Sequence, residues 1–230
     1  VLGHLVPRRG VDQRADLGVG LVDSTTEWSG GGTTANLGRG LATEGGTLTP
    51  EAVAITGPVE GTPLGDLYAA SLDGTPVSAN GLRLESNERY GIQHFESNGE
   101  HTDLQASDNQ AAAVVVQGAT RFSLVGTEGY IQNSAFAEVI VADSQNVTVE
   151  GMRIEGITVA ARPLGTTSYT FGDGVQLVRS TEGILFRDLT LASNERVGVL
   201  VDVGAGTTAL PSGMFDGVTV EGAGTELGVV

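Results

Sequence analysis

The chain has 230 residues, of which 35 are glycine and 28 are aspartate or glutamate, and with only 12 basic residues, all of them arginine, its formal charge at pH 7 is −16. That charge repels phosphate backbones and anionic headgroups, which argues against nucleic-acid and membrane-surface roles and leaves neutral glycans, cations and basic partners open. The absence of lysine removes Schiff-base and Walker-type phosphate chemistry, and the absence of cysteine removes disulfides, thiolate nucleophiles and Cys-ligated metals.

No run of eighteen apolar residues suggests a membrane span, and no signal peptide is visible. The chain starts at Val1 and stops at Leu227-Gly228-Val229-Val230, in what reads as mid-strand. It is therefore expected to be a fragment of a longer chain, with signal and anchor outside it. Residues 1–230 are expected to form one continuous domain, since nothing resembles a linker, coiled coil or disordered tail.

Small and β-branched residues favour strands and tight turns. In chain order, a frame of four apolar positions spaced 2, 3 and 2 recurs: weakly from Leu48, then as Val77, Ala79, Leu82, Leu84, as Val147, Val149, Met152, Ile154, as Ile184, Phe186, Leu189, Leu191, and weakly from Gly213. Alternation of apolar residues is the signal of a half-buried strand, so each frame reads as two short strands with a bend between them. A third strand follows, usually after glycine: Val19/Leu21, Leu41/Thr43, Leu67/Ala69, Ile92/His94, Val114/Val116, Val139/Val141, Val175/Leu177, Val199/Val201 and Val229. Two echoes, one of identical residues and one of identical spacing, support a repeating unit. Ser86-Asn87-Glu88-Arg89 returns as Ser193-Asn194-Glu195-Arg196, and Val114, Val116, Phe122, Leu124, Gly126 map onto Val139, Val141, Val147, Val149, Gly151.

Three strands in about 22–25 residues suit one coil of a triangular solenoid, whose inner face is buried only by stacking on neighbouring coils. About nine coils at roughly 4.8 Å each predict a rod of about 43 Å. Where spacing exceeds a coil, four loops are expected, at roughly 56–66, 70–76, 155–173 and 203–212; the first and third would leave one corner, the second and fourth another.

This pattern, nearly the whole chain long, resembles the right-handed parallel β-helix repeat proteins. Units such as Gly174-Val175-Gln176-Leu177 and Leu189-Thr190-Leu191-Ala192-Ser193-Asn194 look like large secreted or surface repeat proteins of GC-rich bacteria such as myxobacteria. The resemblance implies an all-β solenoid on an extracellular or cell surface. It implies no activity, because such folds include pectin and alginate enzymes, tailspikes, adhesins and structural rods.

Candidate residues follow from the frame. Asn87, Asn109 and Asn194 lie five residues before a third-strand start and Asn133 six before one, as expected of an asparagine corner that hydrogen-bonds along the stack and tolerates a left-handed bend. His94 and His101 take inward positions, so they read as core histidines rather than a site. The polygalacturonase-type motifs are absent, and Gly172-Asp173-Gly174 lacks the close carboxylate pair that glycoside hydrolysis needs. Lyase-like chemistry would draw on Asp173, Arg179 and Asp188, with Arg162 and Arg187 near the longest loop; glycan or partner binding would draw on Arg162, Tyr169 and Phe171. Tyr68, Val115, Ile140 and Leu200 form an outward apolar row, expected to be covered either by the 155–173 loop or by another subunit.

The leading expectation is a non-enzymatic structural or adhesive rod, self-associating or bound to another surface protein. The alternatives are a polysaccharide lyase or hydrolase, or a glycan-binding module, using the 155–173 loop, and a trimeric tailspike-like fibre. No cofactor is expected, and calcium is the one that stays open.

Overall fold

The computed structural model describes residues 3–4, 17–34, 39–56, 68–74, 76–87, 90–127, 129–157, 160–164, 167–179, 182–202, 212–222 and 226–229. Three parallel sheets of nine, eight and nine strands run along a solenoid, joined by a separate two-stranded antiparallel hairpin. A typical coil takes Gly99–Thr102 in the first sheet, Gln105–Ser107 in the second and Ala112–Gln117 in the third, with each strand paired in parallel to its counterparts one coil before and after. The coil count is slightly below the nine expected. Among the described residues, eight coils have all three strands, while the N-terminal coil has only Gly3–His4 and Leu17–Val22.

The 2, 3, 2 frame is explained by backbone conformation. Strand alternation turns Val77 and Ala79 inward and would turn residue 81 inward next. Gly81 instead adopts φ 62°, and this left-handed residue shifts the alternation so that Leu82 and Leu84 face the core. The other two corners work alike. In the coil beginning at Val77 the left-handed residues are Gly81, Ser86 and Glu96, and in the next they are Asp103, Asp108 and Gly118. At least one such residue stands at each of these corners, and some carry two, such as Gly45 with Gly46 and Asp143 with Asn146, which explains why glycine, aspartate, asparagine and serine recur between strands.

Like residues stack into the core. Leu84, Ala106, Ile131, Ile154 and Leu191 are aligned in the second sheet, and Ile92, Val114, Val139, Val175 and Val199 in the third, all buried. Each Val, Leu or Ile side chain sealed in this way contributes about 1.5–3 kcal/mol. Volumes are exchanged between coils. Gly99 sits against Phe122, and a Cβ on Gly99 would lie 2.9 Å from Phe122 Cδ2 and 2.7 Å from His94 Cε1. At the last coil the inward column ends in Phe215, which is 43% exposed while stacked edge-on against Phe186.

Two register expectations are corrected. The third-sheet strand expected to start at Leu67/Ala69 is Tyr68–Asp73, and it pairs Ala70 with Ile92 and Leu72 with His94. The frame was therefore three residues early, because Leu67/Ala69 and Ala70/Leu72 are equally plausible alternating pairs. Consequently Tyr68 aligns with Tyr90, and the residue beside Gln93 in the outward row is Ser71. The loop expected at 70–76 does not exist as such: the strand Tyr68–Asp73 fills most of it, and the next strand begins at Val77. The whole excess falls in the segment after Ala54–Thr56, whose residues 57–67 lie outside the described residues, as do 203–211 of the fourth loop.

Candidate functional site

The third loop contains a hairpin, Ala160–Leu164 paired with Thr167–Phe171, that leaves the corner between the second and third sheets. Its register sets Arg162 directly opposite Tyr169 and Ala160 opposite Phe171. The side chains of Arg162, Tyr169 and Phe171, like that of Tyr68, lie outside the described residues.

The hairpin rejoins the solenoid at Asp173, the first residue of its third-sheet strand. The Asp173 side chain is fully buried, and its carboxylate accepts hydrogen bonds from Arg196 Nε at 2.6 Å, from Arg196 Nη2 and from Gln176 Nε2 at 2.6 Å. This bidentate pair raises the Arg196 pKa above its ordinary value, chiefly through the hydrogen bond to Asp173. The backbone completes the clasp: Gly172 N–H and Asp173 N–H both donate to Phe136 O, and Arg196 N–H donates to Gly172 O.

The other two candidate catalytic residues are elsewhere. Arg179 lies beyond the opposite end of the same strand, about 20 Å along an extended chain from Asp173. It stands at the corner between the third and first sheets in a left-handed conformation, φ 62°, and holds Asp143, a left-handed residue at the same corner one coil earlier, through Nε at 2.9 and 2.8 Å and through Nη2. Hydrogen bonding to Arg179 lowers the Asp143 pKa, and hydrogen bonding to Asp143 raises that of Arg179. Asp188 is exposed at the third kind of corner, between the first and second sheets, again left-handed with φ 50°. Arg187 spans Glu150 and Asp216 at 3.7 Å each along the first sheet. Asp173, Arg179 and Asp188 thus occupy different corners and do not converge on a common reacting atom. Among the described residues no group of three or more His, Cys, Asp or Glu could hold a metal ion.

The asparagine corner forms in part. Asn87, Asn109 and Asn194 are all buried. Asn109 Oδ1 accepts from Asn87 Nδ2 at 2.9 Å and from Asn87 N at 3.3 Å, and Asn109 Nδ2 donates to Leu84 O at 3.2 Å. The left-handed residue is not the asparagine but the one before it, Ser86, Asp108 or Ser193. Asn133 is itself such a left-handed residue, with φ 61°, and belongs to the Asp108 column, donating to Asp108 Oδ1 at 3.3 Å. Between Asn109 and Asn194 the ladder breaks, because Ser134 and Ile157 stand in the asparagine column. Neither amide atom of Asn194 finds a partner.

Sequence reasoning missed the consequence of that break. The side-chain acceptor that Asn109 gives to the Asn87 N–H has no equivalent for Ser134, because the Ile157 side chain carries no oxygen. Glu138 supplies it from the same coil, its Oε1 accepting from Ser134 N–H at 2.8 Å. Glu138 is fully buried in a column otherwise occupied by Gly91, Ala113, Gly174 and Gly198. Burial pushes its pKa up to about 8, against the opposing hydrogen bond from Ser134 N–H, and its Oε2 has no partner. The signal was available: a glutamate in a column of glycine and alanine, in the coil next to an intact asparagine pair.

The outward third-sheet row is largely covered by the chain itself. Val115 and Gln176 are 8% and 7% exposed, Ile140 and Leu200 half-buried. His94 and His101 point inward, as the frame required, with Nε2 atoms 2.9 Å apart.

No family model and no curated protein matches the chain. A solved structure described as the Agl-KA catalytic domain is similar over 94% of this chain and 61% of that one, at 9% identity and a TM-score of 0.30, a likeness too slight to carry an argument. The present chain spans about three fifths of that neighbour's length, 61%.

Proposed function

We propose that this β-solenoid is a non-catalytic structural or adhesive rod that works outside the cell and presents flat sheet faces to its own kind or to another surface molecule. The observation that carries this reading is the state of Asp173. The carboxylate best placed for acid, base or calcium chemistry is sealed from solvent and engaged on both oxygens by Arg196 and Gln176, so it is not open to a substrate. Arg179 is likewise held by Asp143. These pairings brace corners and a hairpin, as a rod requires.

The test is incubation of the purified chain with pectin, alginate and neutral glucans, with and without added calcium, followed by assay of reducing ends and unsaturated products. No turnover is expected. Product release that disappears in Asp173→Asn or Arg179→Ala would overturn the reading.

A second reading, glycan binding at the hairpin, draws on its register, which sets Arg162 and Tyr169 at facing positions of its two strands. Binding to a glycan array that is lost in Arg162→Ala or Tyr169→Ala would establish it. A single mass of one chain in solution would remove the trimeric fibre.

A further inference from the structure

His94 in the third sheet and His101 in the first meet across the solenoid interior in adjacent coils, with Nε2 to Nε2 at 2.9 Å and ring planes at 83°. Both are buried, and Phe122 closes over them with centroids 5.1 and 5.7 Å away. A short N···N contact between two neutral imidazoles requires one ring to donate and the other to accept. The accepting ring then carries its proton on Nδ1. Neither Nδ1 has a partner, so a buried donor is left unsatisfied whichever tautomers are chosen.

The surroundings give a positive charge nothing to pair with. From the third sheet Val116 flanks His94; from the first come Ala79, Gly99, Phe122 and Leu124; from the second Leu84 and Ala106 face inward. Apart from the two imidazoles themselves, none of these inward residues is titratable or charged. The nearby ionisable residues Glu85, Glu96, Glu100 and Arg121 lie on outward positions or at corners in contact with water. Burial, together with the partner imidazole for His94, lowers both pKa values, that of His101 to about 4.

We infer that the His94–His101 pair is an acid-labile seam: the coils spanning 77–117 are closed at neutral pH and open locally in acidic surroundings, when water reaches the imidazoles and they take up protons. Opening binds protons that the closed state refuses. With two imidazoles returning to an ordinary value of 6.5, the open population rises on the order of a hundredfold between pH 6.5 and pH 5. Because neighbouring coils contact only each other, such an opening can stay local.

Hydrogen exchange read by mass spectrometry on the whole chain, corrected for intrinsic rates, tests this. Peptides within 77–117 should lose protection by about a hundredfold from pH 6.5 to pH 5, while peptides within 184–201 change far less. The His94→Leu/His101→Leu variant should abolish that difference. Equal loss along the chain, or unchanged protection at 77–117, overturns the seam. Should the variant fail to fold, the proton NMR titration of the wild-type histidines decides. Two imidazoles that stay neutral in the folded protein down to pH 5 support it, and titration of both near 6.5 overturns it.

Discussion

Replacing Glu138 with glutamine should stabilise the solenoid, and by an amount set by pH. In the unfolded chain Glu138 titrates near its ordinary 4.5, and in the fold burial holds the proton until about 8. Below pH 4.5 both states are protonated and no penalty arises. Between the two values the native state binds a proton that the unfolded state has released, so stability falls by about 1.4 kcal/mol per pH unit. The loss is about 3 kcal/mol at pH 7 and about 5 kcal/mol above pH 8. Glutamine keeps the Oε1 acceptor for Ser134 N–H and nearly the same volume, and it exchanges an unpartnered hydroxyl for an unpartnered amide. Urea unfolding of both proteins, followed by circular dichroism at pH 4.5, 7 and 8.5, isolates the term because every other titration is common to the two. The variant should match the wild type at pH 4.5 and exceed it by about 3 kcal/mol at pH 7 and about 5 kcal/mol at pH 8.5. A gap that does not change with pH, or a variant weaker at pH 8.5, would refute the assignment of Glu138 as a buried, neutral acid.

Other substitutions probe other parts of the coil. Arg196→Ala strips the partner from buried Asp173 and should cost about 3 kcal/mol, the low end for a buried pair because a third of the Arg196 side chain is in water, and limited proteolysis should then cut first in the 160–171 hairpin. Asn109→Ala removes the acceptor for Asn87 and the donor to Leu84 O, so a loss of about 2–3 kcal/mol is expected in chemical unfolding. Gly99→Ala drives a methyl into His94 and Phe122 and should lower the melting temperature by an amount matching about 1–3 kcal/mol. Phe122→Ala should cost about 3–5 kcal/mol through the cavity it leaves beside the histidines.

The solenoid was legible because stacking turns a single coil into a sequence period: Val77, Ala79, Leu82 and Leu84 announce two strands and their bend, and the structure buries all four. The inward turn of His94 and His101 followed from the same frame. Register failed where a loop interrupted the period, at Tyr68, because two alternating pairs three residues apart satisfy the pattern equally and only hydrogen-bond pairing separates them. Polar residues at corners were harder still. Asp173 was marked for chemistry by its charge and its loop, yet its role depends on Arg196, 23 residues away and one coil on. The engagement of Glu138 depends on an absence at Ile157, which becomes visible only when columns rather than neighbours are compared.

The left-handed residues at the corners have a consequence for how this chain can change over generations. Since each corner residue sets the facing of every position after it, deleting one residue inside a coil would turn a whole strand inside out and mismatch it with the coils above and below. A segment of any length inserted at a corner, by contrast, leaves both flanking strands in phase, as the 160–171 hairpin shows between Arg153–Glu155 and Asp173–Val178. The molecule should therefore be intolerant of small indels within strands and permissive of large ones between them, so that new surface is acquired at corners while the rod beneath stays the same.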